Sequence, residues 1–105
     1  MRENIVKNKS FSFAIKIVRT YQFLIGEKKE FVLSKQLLRS GTSVGAMVRE
    51  AEHAETKKDF IQKVGVAQKE INETIYWLEL LTCNIHQNTQ YFDKPLNFRM
   101  FVLIF

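Results

Sequence analysis

Between Phe31 and Ala54 the chain reads FVLSKQLLRSGTSVGAMVREAEHA, and its apolar positions return every three or four residues. Leu33, Leu37, Ser40, Val44, Val48 and Ala51 fall on one stripe of an α-helix, apolar or small throughout. Lys35, Arg39, Thr42, Ala46, Arg49 and His53 repeat on the other side, basic and slender. A helix with two unlike faces packs a bundle with one and meets a partner with the other. That predicts an all-α chain whose job is binding rather than chemistry.

Two more helices follow from the same reasoning. The first is predicted over Phe11–Ile25, with Ser10 as its cap and Ala14, Ile17, Val18, Tyr21, Leu24 and Ile25 as its core stripe. Lys9, Lys16 and Arg19 lie opposite, with Phe23 among them. Gly26 is expected to end that helix in a left-handed turn. The charged linker Glu27-Lys28-Lys29-Glu30 is short, so the next helix should return antiparallel. The third helix opens on Thr56-Lys57-Lys58-Asp59, a capping-box pattern. Phe60, Val64, Ala67, Ile71, Thr74, Leu78 and Leu81 then form a long seam, with Ile75 beside it. Tyr76, Trp77 and Leu80 point away from that seam, so the last turns are apolar on nearly every side. Such a helix needs a fourth helix, another subunit, or both to cover it.

Gly41 and Gly45 each cost a helix up to ~1 kcal/mol against alanine. Together with Ser40, Ser43 and Ala46 they leave room for another backbone. A tight helix–helix contact is one reading, and room for a phosphate backbone is the other. Arg39 and Arg49 flank the pair, which argues against a membrane role for the spacing.

Charge sharpens the picture. The net charge is +5, but residues 1–40 carry nine Lys or Arg against three Glu, while residues 41–83 carry five against seven acids. One basic end would concentrate a polyanion such as RNA, although ordinary solubility accounts for charge of this size too. Lys16, Arg19, Lys28, Lys29, Lys35, Arg39 and Arg49 are the candidate contacts for nucleic acid. Thr42, Ala46, Tyr76, Trp77 and Leu80 are the candidate oligomer interface.

Other chemistry finds little support. Glu50-x-x-His53 matches one arm of a di-iron carboxylate–histidine motif, but no second arm exists. Cys83-x-x-His86 lacks a second ligand pair, and a buried thiol near a helix end is the expectation there. No catalytic set, metal, cofactor or small-molecule substrate is expected. With one cysteine, no signal peptide and no run near the ~18 apolar residues of a membrane span, a cytoplasmic protein is expected. The length of 105 residues fits one domain, with its core over 10–83 and an atypical tail over 84–105.

The segments FSFAIKIVRTYQFL, SKQLLRSGTSVGA and KEINETIYWLELL resemble the small bacterial four-helix-bundle proteins encoded in intervening sequences of 23S rRNA genes. The resemblance implies an antiparallel up-down bundle that assembles as a ring-shaped pentamer and is not an enzyme. A related branch, the accessory variability proteins of diversity-generating retroelements, implies a basic surface that binds nucleic acid. Two positions depart from the family pattern. Met47 stands where SIGANIAEA has asparagine, which removes an amide. After Leu81 a full amphipathic fourth helix gives way to CNIHQNTQYFDKPLNFRMFVLIF. That tail reads either as a shortened helix with Pro95 in its first turn or as a truncated or shifted frame. Phe98–Phe105 carries only Arg99 as a charge, an aggregation hazard unless it packs over the bundle.

Overall fold

The computed structural model describes residues 2–86, with side chains from 5 to 83. Helix α1 spans Arg2–Gly26, α2 spans Leu33–Glu52 and α3 spans Lys57–His86. No strand occurs among the described residues. The all-α expectation holds for these three helices, and the predicted fourth lies outside the described residues.

Helix ends differ from the sequence reading in instructive ways. α1 begins at Arg2 rather than near Phe11, so Ser10 is interior to the helix and not its cap. Its buried hydroxyl donates back to the Lys7 carbonyl at 2.9 Å. Serine makes either bond, and local sequence does not distinguish them. α1 does stop at Gly26, but the left-handed residue is Lys29, with φ 57°. The turn is closed by the Glu27 and Glu30 amides, which donate to the Phe23 and Leu24 carbonyls at 2.8 and 2.9 Å.

The start of α2 is held by Glu30. Its carboxylate accepts from the backbone amides of Leu33 and Ser34 at 2.9 and 2.7 Å, and from Val32 at 3.3 Å. The Ser34 hydroxyl donates back to the Glu30 carbonyl at 2.7 Å. A negative group at a helix N-terminus satisfies orphan donors and opposes the positive end of the helix dipole. At α3 the hydroxyl half of the expected capping box forms: the Asp59 amide donates to the Thr56 hydroxyl at 3.0 Å.

α2 lies between the other two helices and packs along both, whereas α1 and α3 meet only sparsely. Both neighbours run antiparallel to α2. Along α1, Ser10 lies beside Gly45 and Ile17 beside Gly41, while Lys7 pairs with Glu52 at 3.5 Å. Along α3, Lys63 pairs with Glu50 at 3.0 Å and Thr74 bonds Ser40 at 2.9 Å, hydroxyl to hydroxyl and fully buried. The core consists of Phe13, Ile17, Leu24, Leu37, Val44, Leu78 and Leu81.

The glycines answer the question left open by the sequence. A methyl group at Gly41 would meet Ile17 side-chain carbons at 2.6 to 2.9 Å, and one at Gly45 would lie 3.4 Å from the Ser10 carbonyl oxygen. This small-residue surface is where α1 approaches, so it is not open to a phosphate backbone. Core assignments shift accordingly. Phe13 is buried, while Val18 is 37% exposed and faces outward. Phe60 and Val64, assigned to the seam, are also exposed, because α1 gives the opening turns of α3 little cover. Among the described residues, no helix is long and apolar enough to cross a membrane.

Candidate functional site

The sequence grouped seven cations, and the structure divides them. Lys16, Arg19, Lys29 and Lys35 are exposed and have no ion-pair partner among the described residues. Lys28, half-buried, sits with Lys29 in the α1–α2 turn, and Lys35 is in the first turn of α2 beside it. Arg19 lies two turns back along α1, with Lys16 one turn further. Lys9, also exposed, follows at helical spacing on the same side. From Ile5 to Gly26, α1 carries no Asp or Glu. Its exposed side is therefore of one sign.

Arg39 is engaged elsewhere. Its guanidinium donates to Glu70 Oε1 at 3.4 Å and closely to Glu73 Oε2, bridging α2 to α3. The Trp77 indole N–H donates to the same Glu73 oxygen at 3.1 Å. The hydrogen bond from Arg39, then that from Trp77, hold the Glu73 carboxyl below its ordinary range. The hydrogen bond with Glu73 likewise raises Arg39. An arginine bound to two carboxylates presents little net charge to a polyanion. The sequence reading did not single out Glu70 or Glu73; the α2–α3 register brings Arg39 to them.

Arg49 lies at the opposite end of α2 from the lysine-bearing turn. Its guanidinium carbon sits 5.4 Å from the centre of the Phe11 ring, a cation–π contact across the α1–α2 pair. Arg49 thus stands beside the first half of α1, away from the lysine-bearing turn.

The five candidate interface residues occupy two places. Thr42 and Ala46 lie on the outer side of α2, Ala46 exposed and Thr42 half-buried, with its hydroxyl donating to the Leu38 carbonyl at 2.7 Å. Tyr76 is 53% exposed on α3 and Leu80 is half-buried one turn later. Trp77 corrects the expectation of an outward indole. It packs against the core cluster and meets Tyr76 edge-on, with ring centres 5.1 Å apart.

The weaker motifs resolve simply. Glu50 pairs with Lys63 rather than with His53, which is exposed at the C-terminal cap of α2. Cys83 is exposed, against the expectation of a buried thiol, because its position on α3 turns away from α2. Among the described residues, no three His, Cys, Asp or Glu side chains are grouped to hold a metal.

A protein of unknown function from the S23 ribosomal protein family of Bacteroides thetaiotaomicron, known from its crystal structure, has the same fold. It is 48% identical, superposes with a TM-score of 0.88, and the match covers 99% of this chain and 88% of that one. No curated protein matches the chain. The family model described as 23S rRNA-intervening sequence protein matches residues 2–97, which include all three helices and the small-residue contact at Gly41 and Gly45. The chain belongs to the 23S rRNA-intervening sequence protein family.

Proposed function

We propose that this chain is a non-enzymatic, self-assembling helical module that presents a basic surface to RNA. The observation that carries the reading is the one-signed side of α1, which has no acidic residue from Ile5 to Gly26. Lys16 and Arg19 stand exposed on it, and Lys29 and Lys35 extend the charge at the adjoining turn. Their part is sequence-blind phosphate contact, and repetition around a closed ring multiplies it without new contacts. Arg39 and Arg49 drop out of this set, since their nearest partners are within the chain. The pentameric ring and the nucleic-acid partner come from the family resemblance; the apolar side chains of α1 and α3 that no described residue covers favour assembly independently.

A mobility shift with RNA across a salt series tests the reading. Binding should weaken linearly in log salt, with each phosphate contact adding about 0.7–0.9 to the slope. Arg19→Glu with Lys35→Glu should abolish the shift, whereas Arg39→Ala should leave it nearly unchanged. Absence of binding at low salt overturns the RNA half. An assembly that ignores RNA would instead support a protein-interaction module, the second reading, which the exposed apolar residues alone would satisfy.

A further inference from the structure

The end of the bundle that carries the lysine-bearing turn also carries exposed rings. On α1, Lys9, Lys16 and Phe23 recur at seven-residue spacing, with Arg19 between the last two. All four are exposed, Phe23 to 42%. Two residues past the left-handed Lys29, Phe31 is 55% exposed, and Val32 beyond it is 72% exposed. The Glu30 amide donates to the Leu24 carbonyl at 2.9 Å, which folds the chain back on the last turn of α1 just before Phe31. Lys29 and Lys35, both exposed, flank Phe31 in the chain. Acids are few there: Glu27 is exposed, and the Glu30 carboxylate is taken up by the first amides of α2.

Single exposed apolar residues are ordinary, but rings set among cations suit a ligand that offers both phosphates and flat faces. Aromatic side chains receive unpaired bases on their faces while neighbouring cations follow the backbone. Paired bases are already stacked on one another, so a duplex would engage the cations and leave the rings unused. An anionic membrane also favours lysines beside an apolar tip. Here the cations do not encircle the tip; they run back along α1, and Lys9 lies about 25 Å before Gly26 at about 1.5 Å per residue. A flat surface touching Phe31 and Val32 would miss them, whereas a flexible strand can lie along the side.

We propose that the basic side of α1 takes single-stranded RNA, with phosphates on Lys16, Arg19, Lys29 and Lys35 and unstacked bases on the rings of Phe31 and Phe23. The inference deepens the RNA half of the proposed function and rests on it.

Competition between an unstructured pyrimidine oligoribonucleotide and an RNA duplex of equal length tests it, with helicity checked for each variant. Charge alone favours the duplex, whose phosphates are denser, so tighter binding of the single strand is the diagnostic result. Phe31→Ala should weaken single-strand binding about tenfold, leave duplex binding unchanged and keep the salt slope. Phe31→Trp should retain the affinity, and Phe31→Leu, apolar but without a ring, should not. Equal binding of the two forms, or a Phe31→Ala change that spares the single strand or weakens both alike, overturns base stacking while phosphate contact stands. Phe31-dependent capture by vesicles of anionic phospholipid, without preference between the RNAs, assigns the tip to a membrane and overturns it too. A wild type that binds neither RNA at low salt defeats the RNA half of the proposed function as well.

Discussion

A methyl group at Gly41 would collide with three carbons of Ile17, whereas one at Gly65 would meet nothing within 4 Å. Both glycines are interior to helices, so alanine gains each helix about 1 kcal/mol of propensity. At Gly41 that gain opposes an overpacking cost of about 1–3 kcal/mol, since Ile17 is fully buried. Gly41→Ala should therefore destabilise the chain and Gly65→Ala should stabilise it, as denaturant midpoints will show. The sequence disclosed that the Gly41 region admits a close neighbour, but not that Ile17 is that neighbour. Glu73 makes the second prediction at this scale. Arg39 and Trp77 lower its folded pKa, so its contribution to stability is complete above the ordinary glutamate value and declines as pH falls through the lowered one. Glu73→Gln should flatten that acid limb only modestly, because the pair is solvent-exposed. Fluorescence of Trp77, the only tryptophan, should follow the same titration.

Capping decides where the helices begin. Glu30 sits three residues before Leu33 and four before Ser34, and its carboxylate reaches both amides. Glu30→Ala should cost about 0.5–2 kcal/mol, the range for losing a helix cap, and should fray α2 first in hydrogen exchange. Glu30→Gln keeps one acceptor and should cost less. Thr56 was legible as the cap of α3 because hydroxyl and carboxylate stand at the capping-box spacing. Ser10 misled for a related reason: a serine hydroxyl serves the next turn or the previous one, and only continuation of the helix to Arg2 selects the latter. The periodicity of α2 was largely legible, since Leu37, Ser40, Val44 and Ala51 are buried as their spacing required, with Leu33 and Val48 of the same stripe half-buried.

At the scale of the molecule, α2 is the shared wall of the three described helices, and much of the apolar surface of α1 and α3 is left uncovered by the described residues. The two proposed contacts should respond differently to salt. Phosphate binding should disappear steeply as salt rises, while an assembly held by apolar area should change little. Sedimentation and mobility shift over one salt series should therefore part company, with the oligomer persisting after RNA has dissociated.

The sequence by itself determined the helical class, the three helices and the buried face of α2, because apolar spacing and turn chemistry are local properties of a chain. It also determined the basic bias of the first 40 residues and the need for small side chains near Gly41. Only the tertiary structure decided which helix the glycines meet, which residues of α1 turn inward, and which arginine is still able to meet a phosphate. Those outcomes depend on the rotation and register of one helix against another. A stripe read from spacing fixes neither, so Arg39 looked like part of a basic surface until α3 brought two glutamates to it.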